Sequence, residues 1–184
     1  MKAVPEFFFA LRDDLQFHCD EFNKTVTEEV NKITPQHFLP TRADPESTGY
    51  DVRCAAPDGV ILTPECYIKM PLGFRMFAPK GWWLQLAPRS SAFLKSHIHA
   101  LYGVIDETFE NEMIFAGQYI PDACQLLNVN FKKVIKFGER IAQLMPVERQ
   151  DMNCRIVTNS EYTALTMARN GARGTGGFGS TGKI

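Results

Sequence analysis

Three stretches of this chain combine residue types that could handle a phosphorylated substrate. The C-terminal run Arg173-Gly174-Thr175-Gly176-Gly177-Phe178-Gly179-Ser180-Thr181-Gly182 is the densest of them. Glycine backbone can approach an anion closely and point its N–H groups at phosphate oxygens. Arg173 adds a planar guanidinium fork, Ser180 and Thr181 add hydroxyl donors, and Phe178 is a single large ring that could stack on a base. The run is not a P-loop, because no Gly-Lys-Ser/Thr follows at the required spacing. In Ala87-Pro88-Arg89-Ser90-Ser91, Arg89 and Ser90 could meet a di- or triphosphate at the end of a strand. In Gly103-Val104-Ile105-Asp106, Val104 and Ile105 read as core anchors of a strand, and Asp106 ends it where a hairpin begins. A carboxylate fixed there can take a proton from an attacking water. Taken singly, each stretch has a plain alternative: a Gly/Ser linker, a surface turn, a solvated aspartate.

These groups need a scaffold, and the chain changes grammar along its length. From about Pro5 to Ile33, apolar Leu11, Leu15, Phe22, Val26, Val30 and Ile33 recur at spacings of three, four or seven, which predicts a helix. Pro5 suits its first turn and Pro35 its end. From about Leu39, short β-rich runs alternate with Pro, Gly, Asn and Asp: Gly49–Cys54, Gly59–Leu62, Glu65–Lys69, Gly73–Phe77, Trp82–Ala87, Glu112–Ile120, Gln125–Asn130 and Arg140–Val147. Many short strands at regular spacing predict a mainly β antiparallel sandwich or jelly roll. The expected organisation is a helical extension over 1–37, a β domain over 38–168 and a Gly-rich lid over 169–184 that orders when something binds.

The bulk numbers exclude other classes. With Lys+Arg 20 against Asp+Glu 21, the formal charge is -1, so no basic footprint for a nucleic-acid backbone is present. Five scattered cysteines without a Cys-x-x-Cys pair argue against a disulfide framework or a structural zinc, and read as small buried hydrophobes in a reducing compartment. No apolar run approaches the ~20 residues of a membrane span, and the start reads as no signal peptide, so a cytoplasmic protein without membrane or nucleic-acid partners is expected.

Order makes the pieces specific. Thr48-Gly49-Tyr50-Asp51-Val52, Pro88-Arg89-Ser90-Ser91, Gly103-Val104-Ile105-Asp106, Gly138-Glu139-Arg140-Ile141-Ala142-Gln143-Leu144 and the tail run resemble, in sequence order and approximate spacing, the five motifs of the trimeric dUTPase family, over about Leu39 to Ile184. The resemblance implies a distorted jelly-roll or β-barrel, here with an added N-terminal α-helix. It also implies Mg2+-dependent hydrolysis of dUTP to dUMP and pyrophosphate, which supplies dUMP for thymidylate synthesis and keeps uracil out of DNA. By the same resemblance Asp106 is the general base, and Asp51 holds waters around a Mg2+ chelated by the triphosphate. Arg89, Ser90, Ser91 and Gln143 position phosphates. Tyr102, Gly103, Ile105 and Phe109 line the base and sugar pocket, and Arg173, Gly177, Phe178, Gly179, Ser180 and Thr181 form the closing lid. The implied assembly is a homotrimer with shared sites, in the cytoplasm, or in the host cytoplasm for a viral or phage chain.

Some positions depart from the family pattern. Phe109 stands where Tyr is usual, Asn111 replaces a hairpin Gly, Ser91 a Gly and Thr48 an Ala, and Tyr102 is bulky for its place. These bear on which base fits more than on reaction type. The rivals are a dCTP deaminase of the same fold, a pyrophosphatase for dCTP or a modified deoxypyrimidine triphosphate, and a regulatory protein that binds a partner through the N-terminal helix. The deaminase would require a Glu where Ala116 stands, and would lack the Gly-rich tail.

Overall fold

A computed structural model describes residues 4–64, 66–122 and 132–168 of the chain. The chain divides into two compact units, Met1–Arg149 and Gln150–Ile184.

The first unit is a set of short antiparallel sheets. Its eleven described strands are β1 (Phe8–Leu11), β2 (Tyr50–Arg53), β3 (Val60–Leu62), β4 (Tyr67–Pro71), β5 (Phe74–Phe77), β6 (Trp82–Pro88), β7 (Ile98–Ala100), β8 (Gly103–Ile105), β9 (Ile114–Tyr119), β10 (Lys133–Ile135) and β11 (Arg140–Glu148). They form the sheets β1-β5, β10-β3, β2-β11-β6-β8 and β4-β9-β7. Alternation along β4 and β5, one residue in and the next out, sends Met70, Phe74 and Met76 into a core shared with Leu86, Phe115 and Leu144. The β-rich segments expected from the sequence lie at β2, β3, β4, β5, β6, β9 and β11; Gln125–Asn130 falls outside the described residues.

The N-terminal region contains the expected helix, but within narrower bounds. Helix α1 spans only Leu15–Asn23, and the residues before it form β1, paired with β5 in the register Phe8↔Phe77 to Leu11↔Phe74. Phe7-Phe8-Phe9 strongly favours strand once a partner edge is available, and tertiary pairing overrides the helical spacing there. After α1 the chain runs through two 3-10 turns, Glu29–Asn31 and Pro35–Phe38, and Val30 lies exposed rather than on a helical core face. Leu15 and Cys19 of α1 pack with Ile33, Phe38, Ala55 and Phe137 in a second small core. Arg12 ties this region down: its guanidinium donates to the Ala55 carbonyl (3.0 Å) and to Glu112 (3.2 Å), and Glu112 accepts the Gly73 N–H (3.0 Å). Phe38 is fully buried with its ring 5.0 Å from that of Phe137. Phe38→Ala should therefore lower unfolding free energy by about 3–5 kcal/mol, measured by urea titration.

Two short helices have no counterpart in the expected β grammar. Helix α2 (Ser90–Leu94) follows β6 directly, and α3 (Asn159–Ala168) lies in the second unit. A reciprocal cap starts α3: the Glu161 N–H donates to Thr158 Oγ1 (3.2 Å), and the Thr158 N–H donates to Glu161 (2.8 Å). The Thr158 N–H and the Thr158 hydroxyl (3.0 Å) both donate to the Glu161 carboxylate and hold it below its usual range.

The cysteine expectation holds in part. Cys19 and Cys54 are buried, and burial pushes both thiols up to about 11, so they remain neutral packing groups. Cys66 and Cys154 are instead exposed, and Cys124 lies outside the described residues. Among the described residues no helix is long and apolar enough to cross a membrane.

Candidate active site

Strand β11 builds the site because it pairs on both sides, with β2 and with β6. Gln143 of β11 lies opposite Asp51 of β2 and Ala87 of β6, so three separated motifs meet on adjacent strands. The Gln143 side-chain amide donates to the Pro88 carbonyl (3.2 Å). Backbone bonds to Thr41 grip Asp51 from its other side, the Asp51 N–H donating at 2.7 Å and its carbonyl accepting at 3.2 Å. At the end of β6, the Arg89 N–H donates to the Ile141 carbonyl (3.2 Å). Arg89 thus sits in extended backbone before α2, with Ser90 exposed at the first turn and Ser91 half-buried behind it.

The electrostatics here are dominated by arginine. Asp51, 11% exposed, pairs with Arg89 (3.2 Å) and with Arg140 (3.3 Å). Arg140 reaches Asp51 from a point where β11 shifts register against β2 between Arg140 and Ala142, a bulge that re-aims the side chain. Arg53, two residues beyond Asp51, donates to the Gly138 carbonyl (2.7 Å). Burial, with Arg140 and Arg89 nearby, lowers the Arg53 pKa against the opposing pull of Asp51. Three guanidinium groups therefore gather around one carboxylate, leaving an excess of positive charge for an oligophosphate. Arg53 and Arg140 were absent from the residues singled out in the sequence, although Arg140 lies inside the Gly138–Leu144 motif.

Gly138 has φ +78, a conformation that L side chains rarely adopt, and its N–H donates to the Cys54 carbonyl (2.8 Å). It turns the chain into β11. Gly49 is required for a different reason: a Cβ there would lie 2.0 Å from Gln143 Oε1. The space beside Asp51 is kept for the glutamine amide.

Asp106 is exposed at the end of β8, in a four-residue turn closed by the Phe109 N–H on the Asp106 carbonyl (3.1 Å). Phe109 packs partly against the main core and Ile105 does likewise, whereas Val104, expected as a core anchor, is 66% exposed. Alternation explains the correction: only one of two successive strand residues can face the core. Tyr102 is exposed just before Gly103 opens β8. Ile105 pairs with Leu84, so Asp106 follows level with Trp83, at the opposite end of β6 from Arg89. Arg89 lies six residue steps along the chain from Trp83, about 20 Å at ~3.3 Å per step. One chain thus brings Asp51, Arg89, Ser90 and Gln143 together and leaves Asp106 apart. Arg173, Gly177, Phe178, Gly179, Ser180 and Thr181 lie outside the described residues. Among the described residues, no group of three or more His, Cys, Asp or Glu could hold a metal ion.

Comparison with known proteins identifies the family. The dUTPase family model matches residues 36–182. The deoxyuridine 5'-triphosphate nucleotidohydrolase of Arabidopsis thaliana is 31% identical over 157 residues, covering 84% of this chain and 82% of the relative. That of Paramecium bursaria Chlorella virus 1 is 30% identical over 154 residues, covering 83% of this chain and 96% of the relative. Among solved structures, the Staphylococcus bacteriophage 80alpha dUTPase with dUPNHPP superposes with a TM-score of 0.62 at 20% identity, covering 97% of this chain and 99% of that one.

Proposed function

The chain belongs to the dUTPase family, and we propose on that premise that it hydrolyses dUTP to dUMP and pyrophosphate. The observation that carries this is the convergence of Asp51, Arg89 and Gln143, from three separate motifs, on neighbouring strands around an excess of guanidinium charge. Phosphoryl chemistry depends mainly on positioning and charge neutralisation, which this patch supplies.

The residue roles follow from that chemistry. Asp106 takes a proton from the water whose oxygen bonds the α-phosphorus, while the bond from that phosphorus to the bridging oxygen breaks and pyrophosphate leaves. Arg89, Ser90, Ser91 and Gln143 hold the phosphates. Among the described residues strand β8 is an edge of its sheet, and the outward backbone groups of an edge around Gly103 and Ile105 suit a uracil edge. Tyr102 flanks that edge, and Phe109 packs under the sugar. Arg173, Gly177, Phe178, Gly179, Ser180 and Thr181 close over the bound nucleotide.

The donor set fits a Mg2+ that arrives on the triphosphate with its own waters: Asp51 is the carboxylate set among the phosphate-binding residues, and it would take those waters. When bound, the ion neutralises triphosphate charge.

The separation of Asp106 from Arg89 within one chain supports an assembly in which a second copy supplies the base, as in a homotrimer with shared sites. Ala116 lies mid-strand on β9, where the rival deaminase would require its Glu, which favours hydrolysis.

Protein with Mg2+ should be offered dUTP, dCTP, dTTP and UTP, following pyrophosphate and ammonia separately. Pyrophosphate from dUTP alone is expected; ammonia from dCTP would overturn the proposal. Gly49→Ala, by pushing the Gln143 amide off its position, should lower kcat on dUTP about 10²-fold, the usual result of a ~1 Å misplacement, without lowering the melting temperature.

A further inference from the structure

We infer that Glu107 is a positioning residue for Asp106, acting by clamping the turn that carries it; this rests on the hydrolytic reading above. The turn Asp106–Phe109 lies on the surface, and its single internal bond is the Phe109 N–H on the Asp106 carbonyl. An exposed four-residue turn held only in that way samples several arrangements. Glu107 removes that freedom. Its carboxylate Oε2 accepts the Gly81 N–H at 2.6 Å and pairs with Arg149 Nη1 at 3.3 Å.

Both anchors are themselves fixed. Gly81 has φ +82 in a turn closed by the Trp82 N–H on the Pro79 carbonyl (3.1 Å), the place where a turn favours glycine. The Arg149 N–H donates to the Gly81 carbonyl at 2.7 Å, immediately after β11 ends. Gly81 thus gives its N–H to Glu107 and its carbonyl to Arg149, and Glu107 and Arg149 pair with each other. The ring joins the base-bearing turn to the start of β6 and the end of β11. It borders a cleft of about 380 Å³ lined by Trp82, Trp83, Val104, Asp106 and Thr108. The Glu107 side chain is 25% exposed, so the charge-assisted bond to Gly81 is partly shielded from water. Glu107 itself is directed at Gly81 and Arg149, so its contribution reaches the reaction through Asp106.

The test uses full-length Glu107→Ala, Glu107→Gln and Asp106→Asn, and the double variant Asp106→Asn/Glu107→Ala, each shown to be folded by circular dichroism. Wild-type pyrophosphate release from dUTP is measured first, since its absence would refute the hydrolytic reading and not this inference. Glu107→Ala is expected to lower kcat about 10- to 100-fold with KM within about twofold. Glu107→Gln keeps an acceptor for the Gly81 N–H and should recover most of the loss. In the Asp106→Asn background, Glu107→Ala should cost nothing further, because a group that works through Asp106 has nothing left to position. A kcat within twofold of wild type for Glu107→Ala, no recovery in Glu107→Gln, or an undiminished loss in the Asp106→Asn background would each overturn the inference.

Discussion

Asp106→Asn should lower kcat for dUTP by about 10³-fold, or about 4 kcal/mol of transition-state stabilisation, while nucleotide affinity stays near that of the parent. The amide has almost the same shape as the carboxylate but cannot accept the proton that the attacking water must lose. Asp106 is exposed and, among the described residues, its side chain has no hydrogen bond or ion pair that holds the fold, so folding should be unaffected. Steady-state pyrophosphate release, with binding of a non-hydrolysable dUTP analogue measured separately, checks both halves. Full turnover in Asp106→Asn would remove Asp106 from the role of base.

Arg89→Ala should reduce kcat/KM by about 10²-fold, because one of the charge-assisted phosphate donors is lost. Asp51 keeps its pairing with Arg140, so the carboxylate is not left bare and the strands should hold their register. The more informative result comes from mixing. Within one chain Asp106 and Arg89 lie about 20 Å apart along β6 by strand rise, too far to act on one phosphorus. If each site takes the two residues from different copies, unfolding and refolding equal amounts of Asp106→Asn and Arg89→Ala chains together should restore about a quarter of wild-type activity. That fraction is the chance that a site draws an intact residue from each of two randomly assorted copies. No recovery on mixing would mean that one chain brings both residues together by a route other than sharing.

Much of the candidate site was legible in the sequence because its motifs are local. Gly138-Glu139-Arg140 announces a turn into a strand, and the structure places Gly138 at positive φ there. The β-rich grammar after Leu39 likewise located most strands, since alternation and turn residues act over a few positions. Signals of the same kind were present for α3, where Thr158-Asn159-Ser160-Glu161 is a capping-box pattern. The limits of the N-terminal helix were not legible. Leu11 and Leu15 fit a helical spacing, but Leu11 is taken by β1 because β5 offers an edge to Phe8–Leu11, sixty-odd residues later in the chain.

By itself the sequence determined which chemistry is available: guanidinium donors, a glutamine amide, a solitary carboxylate and a glycine-rich C-terminal run, in an order that specifies the family. Side-chain chemistry and motif order do not depend on conformation, so they can be read without it. Only the tertiary structure decided which groups meet. It brought Arg53 and Arg140 to Asp51 through strand register and a bulge, and it reserved the space at Gly49 for Gln143. It set Asp106 at the far end of β6 and tied its turn through Glu107 to Gly81 and Arg149. Those relations are distances between residues far apart in the chain, and long-range pairing sets them.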